Sequence, residues 1–388
     1  MSVPPRILHL NTAKTWRGGE RQVFYLADEL RRRDIAQVIV GRPRSELGER
    51  SVAAGLPFEA VSMGGEWDLF AVAKLRRICR EHSINLIHAH TSRAHGLGLM
   101  AVRGLAGVRL VVSRRVDFPA SVNYLSQRKY LSKRVAAYIA ISENVRRILI
   151  QDGVPADRIR IAYSGVDTER FAAGPAADER VAQLRTELGL DPDTLVSGNV
   201  AALEEHKDQR TLLNALALLN TSVPELAQKT RTILLGEGKL RDALEAQARQ
   251  SGLLQSGLVS FAGFRANIDE FYRLMHVFVL SSVEEGLGTA VLDAMAAGLP
   301  VAATAAGGIP EMIDHEQGGL LSAPGDAQTL ARHLQTLLED AQLRERCGAY
   351  NRKRVRRFSK SATCEDTLKV YTEVLADAPA DSLSEASG

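Results

Sequence analysis

Short apolar runs alternate with longer, helix-compatible stretches along most of this chain, and the alternation sets an expected element order. Apolar runs at 7–10, 37–40, 86–88, 110–112 and 138–141 are candidate strands in the first half. The pattern restarts with runs at 195–200, 232–235, 259–262, 277–280 and 301–303. Strands alternating with helices imply parallel, doubly wound sheets, so two similar α/β sheets are expected. Between the two sets, residues 168–192 are rich in Ala, Asp, Gly and Pro around one helical stretch, 180–188. That composition predicts a boundary. Helical patterning resumes at 327–339 and 362–376. The predicted organisation is a first domain at 1–167, a linker at 168–192, a second domain at 193–360, a helix at 361–376 that returns to the first domain, and a tail at 377–388. The tail is small and polar, so disorder is expected there. A length of 388 residues suits two domains that each bury a core.

Composition narrows the partners. Three cysteines, Cys79, Cys347 and Cys364, are odd in number and widely spaced, which argues against a disulfide framework and against a zinc site. The chain passes directly from Met1 to a short strand without a secretory apolar segment, and no run approaches the roughly 18 apolar residues of a membrane span. A soluble, cytoplasmic protein is expected, at most resting on the inner face of a membrane. The net charge of +3 conceals an asymmetry: residues 1–165 hold 27 Lys and Arg against 14 Asp and Glu, and the remainder holds 22 against 32. Doublets Arg76-Arg77, Arg114-Arg115, Arg128-Lys129, Lys133-Arg134 and Arg146-Arg147 supply much of the excess. Phospholipid headgroups or a phosphorylated glycolipid fit such charge; scattered solvated helix faces are the other reading. Nucleic acid is disfavoured because no aromatic-rich binding strand accompanies the charge.

The segment from Val283 to Pro300 carries the most chemistry. Glu285 and Asp293 stand eight positions apart across the turn Gly286-Leu287-Gly288, which opens an alanine-rich helix at 289–297 stopped by Gly298 and Pro300. Eight helical residues rise roughly 12 Å with both side chains on one face. Such a reach suits the two hydroxyl-rich ends of a nucleotide diphosphate sugar, with the phosphates on the Gly288 and Thr289 amides at the helix N-terminus. An ordinary buried helix behind a loop is the plainer alternative.

Ligands of open α/β sheets sit beyond the carboxyl ends of the strands, so the loops there hold the other candidate residues. Gly18-Gly19, between Arg17 and Glu20, lets backbone amides approach a phosphate or sugar. His88-Ala89-His90-Thr91-Ser92-Arg93 offers two imidazoles with no further ligands at metal spacing, so hydrogen bonding to hydroxyls is expected rather than metal binding. Ser113-Arg114-Arg115-Val116-Asp117-Phe118 is a charged cluster where an anion or sugar could dock. Lys207, after the first strand of the second set, offers a point charge for a diphosphate. Gly236-Glu237-Gly238 and Gly263-Phe264-Arg265 could close on a base through backbone groups, and Gly307-Gly308-Ile309-Pro310-Glu311 is a second glycine turn into a helix.

Taken together, these motifs strongly resemble retaining glycosyltransferases of family 4, whose GT-B fold places two Rossmann-like domains face to face. Glu285 to Pro300 stands in the place of that family's E-x7-E helix, supported by Leu235 to Gly238, Gly307 to Glu311, Ala140 to Val145, Ser164 to Asp167 and the Gly18-Gly19 loop. The resemblance implies that Glu285 lies beside the donor sugar, Asp293 meets the ribose, and Lys207 holds the diphosphate and stabilises the leaving group. It also implies that backbone groups around Gly263, Phe264 and Arg265 hold the base and that Gly18 and Gly19 face the phosphates and acceptor, with Gly286, Leu287, Gly288 and Thr289 completing the donor site. Arg17, His90, Arg93 and Arg114 are the candidate acceptor residues. The chain departs from the family pattern at three positions: Asp293 replaces Glu, Ala202 replaces an Arg five residues before the lysine, and Arg115 replaces a His. Arg115 joins Glu285 and Lys207 as a candidate catalytic residue. The expected activity is retaining transfer from a nucleotide sugar to a glycolipid or polysaccharide hydroxyl in lipopolysaccharide or surface-glycan synthesis, with no cofactor and no metal. A sugar-nucleotide epimerase and a non-catalytic nucleotide-sugar binder are the alternatives.

Overall fold

A computed structural model describes residues 3–117, 128–171 and 174–377. Phe118 and, apart from Asp377, the tail expected at 377–388 lie outside the described residues. The chain divides into two compact units, one formed by Met1–Gly165 with Lys360–Gly388 and the other by Val166–Ser359.

The first unit is a seven-stranded parallel sheet in the order β3-β2-β1-β4-β5-β6-β7. Its strands are β1 (Ile7–Leu10), β2 (Gln37–Gly41), β3 (Phe58–Ala60), β4 (Leu86–Ala89), β5 (Arg109–Arg114), β6 (Val135–Ala140) and β7 (Ile159–Ile161). The strands β1 and β4 are buried throughout, which is why they read as continuous apolar runs instead of alternating ones. Short β3 and β7 went unrecognised in the sequence: Phe58–Ala60 carries no fully buried residue, so its pattern lacks an apolar run. Helix starts are set by side-chain caps: Thr91 accepts from the Ala94 amide, Ser142 from Val145, and Asp68 from Ala71. The helix Lys360–Ala376 belongs to this unit and buries Cys364, Val370 and Tyr371 in one cluster with Ile7, Leu86, Val111 and Ile139.

The second unit is a six-stranded parallel sheet in the order β10-β9-β8-β11-β12-β13. It comprises β8 (Leu195–Val200), β9 (Thr230–Leu235), β10 (Val259–Gly263), β11 (Val277–Leu280), β12 (Val301–Thr304) and β13 (Gly319–Ser322). Five strands, β8 to β12, fall on the five apolar runs, each within two residues; β13, with two half-buried residues, lacked a signal. The stretch expected as a linker, 168–192, is part of this unit: its helix Pro175–Glu187 packs on the helix Ile268–Leu274, with Arg273 Nη2 on Asp178 Oδ1 at 2.7 Å. Both units are therefore Rossmann-like α/β domains, as anticipated.

Candidate functional site

Two loops of the second unit, both at carboxyl ends of central strands, build the strongest constellation. Fully buried β11 delivers the chain to Ser281 and Ser282, each without solvent exposure. Ser282 Oγ donates to Glu285 Oε1 at 2.9 Å, and the Ser282 carbonyl accepts from Thr304 Oγ1 on β12 at 2.5 Å. The Glu285 carbonyl accepts from the Gly308 amide at 3.0 Å. The acid is thus fixed from its side chain and its backbone. Lys207 closes the short 3-10 turn Glu205–Lys207 after β8, and its ammonium donates to the same Glu285 Oε1. Backbone contacts hold the two loops in register: Ser281 Oγ donates to the Lys207 carbonyl at 3.2 Å and the Val283 amide to the His206 carbonyl at 2.9 Å. The pair is 18 % and 8 % exposed at its side chains, so it is shielded enough for electrostatics to be strong yet still reachable by a ligand.

Glu285 does not lie on the helix. The chain takes φ +91° at Gly288 before the helix Thr289–Ala297 begins, so the reach of eight helical residues applies only from Thr289 onward. This corrects the sequence-based spacing between the two acids. Asp293 is on that helix and nearly buried, with 4 % exposure. Leu287 is buried, and the hydroxyl of Tyr272 anchors the first turn by donating to the Ala290 carbonyl at 3.1 Å. The helix N-terminus next to the Lys207–Glu285 pair offers amide dipoles to an anion. At the end of β10, Phe264 is strongly exposed, whereas Arg265 is engaged with its own unit through the Ala262 carbonyl at 3.2 Å and Glu187 Oε1 at 3.0 Å.

Ser282 was missed in the sequence, where a serine at a strand end carries no distinct signal. Removing its hydroxyl frees the Glu285 carboxylate to rotate, and small misplacements of positioning groups cost on the order of 100-fold. Ser282→Ala is therefore expected to lower kcat by about 10- to 100-fold, with Ser282→Thr restoring most of it because its hydroxyl can reach the same oxygen. Equal kcat in Ser282→Ala and the wild type would remove the serine from the site.

In the first unit, Gly18 and Gly19 open the helix Gly18–Arg31, and Glu20 Oε2 accepts from the exposed Arg17's amide at 3.1 Å. Arg115 follows β5 beside this turn: a Cβ built on Gly19 would sit 3.9 Å from Arg115 Cδ, and Arg115 Nη1 donates to Ser164 Oγ at 3.4 Å. Burial pushes the Arg115 guanidinium down to about 10, with Glu20 and then Tyr371 opposing the shift, so it stays charged at neutral pH. Arg93 is half-buried at the start of the helix Ser92–Val102. Arg114, expected at the acceptor surface, is 4 % exposed and donates inward to the Tyr130 hydroxyl at 2.6 Å and the Val116 carbonyl at 3.2 Å. Its charge supports the loop instead of meeting solvent.

His90 is buried too, and the structure adds a third imidazole that the spacing did not reveal. Parallel pairing of β1 with β4 sets His9 opposite His88, and period-two alternation brings His90 to the same face. His9 Nδ1 lies 3.1 Å from His90 Nε2, His88 Nδ1 is 2.5 Å from the Tyr371 hydroxyl, and His88 Nε2 is 2.7 Å from Ser113 Oγ. One ligand atom from each ring falls within 4.8 Å of the others. Both His88 nitrogens are already engaged by hydroxyls, and Arg115 places positive charge beside His88 and His90, so we read the trio as neutral and hydrogen-bonded. Burial is the first cause of its low basicity: His9 is lowered to about 4, and His88 and His90 lie well below the ordinary imidazole range. A folded-state pKa lowered in this way means that, as pH falls below about 6.5, the unfolded chain takes up protons that the native state refuses. Stability is thus fully present above that pH and lost on the way down towards about 4, by on the order of several kcal/mol. Denaturant midpoints measured across that window should decline; a flat profile would contradict the buried neutral trio.

The domain models of known families divide the chain as the fold does. One, described as Glycosyltransferase Family 4, matches residues 16–170, and another, Glycosyl transferases group 1, matches residues 181–354. This chain is a glycosyltransferase of the group 1 and family 4 type. EpsD of Bacillus subtilis, a provisionally named glycosyltransferase, is 29 % identical over 79 % of this chain and 81 % of its own length. The D-inositol 3-phosphate glycosyltransferase of Kineococcus radiotolerans is 26 % identical over 97 % of this chain and 91 % of its own. Among solved structures, Anabaena HepE in complex with UDP-glucose superposes with a TM-score of 0.80 at 25 % identity, covering 95 % of this chain and 99 % of its own. In this glycosyltransferase the Lys207–Glu285 pair lies in the group 1 part, and His88, His90 and Arg115 lie in the family 4 part, with His9 ahead of its first matched residue.

Proposed function

We propose that this glycosyltransferase moves a sugar, with retention, from a nucleotide diphosphate sugar to a hydroxyl of an anionic glycolipid or surface polysaccharide, such as a lipopolysaccharide intermediate. The observation that carries the donor half is the Lys207 ammonium held on a carboxylate fixed by Ser282, beside the N-terminus of the Thr289–Ala297 helix. Breaking the bond from the anomeric carbon to the phosphate oxygen leaves the electron pair on the diphosphate, so stabilising that oxygen is the main catalytic demand. Lys207 and the helix amides offer fixed positive potential, and a diphosphate competes with Glu285 for Lys207. Glu285, released from that contact, borders the sugar. The acceptor oxygen bonds the anomeric carbon on the face the phosphate leaves, and its proton passes to the departing phosphate oxygen.

Asp293 is one methylene shorter than the acid the family pattern calls for, and we assign it to the ribose. This scheme gives the charge-neutralising role to Lys207, so no metal is needed; the rate is expected to be unchanged after chelation with EDTA, and a strict requirement for added divalent ion would refute that part. Melting temperatures in UDP, GDP and ADP sugars identify the donor, because a ligand that prefers the native state raises the transition. HepE, crystallised with UDP-glucose, makes UDP sugars the first to try. NMR of the product decides the stereochemistry: an inverted anomeric centre would reject retention. The basic first unit supports an anionic acceptor and a peripheral position on the cytoplasmic face of a membrane; among the described residues no helix is long and apolar enough to cross one.

A further inference from the structure

The first unit displays three strongly exposed apolar side chains beside a group of exposed cations, and a surface of that make-up has a definite partner. Phe70 is 91 % exposed, and Trp67 and Leu69 are each 69 % exposed. They are not on a loose loop. Asp68, between them, caps the helix Leu69–Glu81, accepting from the Ala71 amide at 3.0 Å through one oxygen and from the Gly64 amide at 2.9 Å through the other. Lys129 fixes the neighbouring Glu66 at 3.0 Å and also donates to Ser92 Oγ at 2.9 Å. The fold thus spends ordered structure on holding three large apolar groups in water, which marks an interaction site when they are contiguous.

Trp67 also borders a cavity of about 1020 Å³ whose apolar lining is Leu99, Met100 and Leu131. Its rim carries Arg103, Arg128, Lys133 and Arg134, all exposed. Among the described residues Arg103, Lys133 and Arg134 make no side-chain ion pair, and the one acid lining the cavity, Glu66, is already matched by Lys129. An apolar floor under a cationic rim, flanked by projecting Trp and Phe, is the complement of a phosphate joined to hydrocarbon.

We propose that this surface docks on an anionic lipid bilayer, with Trp67, Leu69 and Phe70 entering the interface and the cavity taking the junction between a lipid phosphate and its apolar chain. The proposal deepens the acceptor half of the function above and rests on it for the acceptor's identity, though not for membrane binding itself. Of the basic doublets in the sequence, Arg128-Lys129 and Lys133-Arg134 serve this surface; Arg114 is turned inward and does not.

Flotation with phosphatidylcholine vesicles, with and without phosphatidylglycerol, tests it on the full chain. Wild-type protein is expected to float only with the anionic vesicles. The combined variant Arg103→Gln, Lys133→Gln, Arg134→Gln should lower partitioning by on the order of 100-fold, each charge near a membrane surface contributing about fivefold. Trp67→Ser with Phe70→Ser should abolish the binding that survives at high salt, where charge attraction is screened. A control, Arg146→Gln with Arg147→Gln, removes two charges from the helix Glu143–Gln151, one half-buried and paired with Glu143 and one exposed, and should change partitioning by no more than about threefold.

Equal loss in the control and the rim variant would overturn the proposal, since attraction would then follow net charge alone. Binding to pure phosphatidylcholine, or unchanged binding in the rim or aromatic variants, would overturn it as well. Unaltered melting temperatures establish that the variants fold. Thermal shift by nucleotide sugars is read separately: wild type that docks through this surface but responds to no donor sinks the transfer reading alone, and the converse sinks only the docking surface.

Discussion

Lys207→Ala is expected to lower kcat by on the order of 100- to 1000-fold, the usual cost of losing one preorganised charge aimed at a developing anion. The same substitution strands Glu285, 8 % exposed at its side chain, with the Ser282 hydroxyl as its remaining side-chain partner among the described residues. Removing one member of a shielded pair costs about 3–5 kcal/mol when the other stays charged. A lower melting temperature should therefore accompany the kinetic defect. Glu285→Gln separates the two effects. It keeps an acceptor for Ser282 and removes the competitor for Lys207, so nucleoside diphosphate should bind as tightly as before or more so, while sugar transfer falls. Calorimetric titration with UDP alongside initial rates checks both; weakened UDP binding in Glu285→Gln would mean that the acid, and not the lysine, holds the phosphates. Lys207→Arg is expected to recover only part of the rate, because a planar fork cannot occupy the position of a compact ammonium.

The second large effect is expected at a residue with no side chain. Gly307 has φ +51°, and a Cβ placed there would lie 1.8 Å from the Glu285 carbonyl oxygen. The left-handed conformation alone costs an alanine about 1–2 kcal/mol. The backbone overlap is more serious, since it can be relieved only by separating the two loops and breaking the bond from the Gly308 amide to the same carbonyl. Gly307→Ala should thus act as a site mutation at a distance: activity down by about 100-fold or more through displacement of Glu285, and stability down by several kcal/mol, at the upper end for single changes. Gly325→Ala is the control. It too has positive φ, +78°, but nothing within 4 Å of the added carbon, so it should show the conformational cost without the kinetic one. Matching losses of activity in both variants would mean that strain, not contact with Glu285, explains the first.

Much of this was legible before any coordinates. The strands β8, β11 and β12 were marked by apolar runs because both faces of a parallel sheet are covered, and the helix Thr289–Ala297 was bounded by Gly288 before it and Gly298 after it. Lys207 and Glu285 were named from their positions after strands, although they stand 78 residues apart. What escaped were elements with weak apolar content, such as β3 and β13, and residues whose role is to hold another residue, such as Ser282 and Thr304. Their types are common and their partners are distant in sequence, so no local pattern marks them.

Local order along the chain determined where strands and helices fall, which loops face the ends of the sheets, and which family the motifs belong to, because periodicity, turn glycines and caps act over a few residues. Tertiary structure alone decided that Lys207 and Ser282 meet on one oxygen of Glu285, that His9 completes a buried trio with His88 and His90, and that Arg114 points inward while Trp67 and Phe70 point out. Those outcomes depend on strand register and on which loops the sheet order makes adjacent, and contacts across tens of residues leave no imprint on the residues between them.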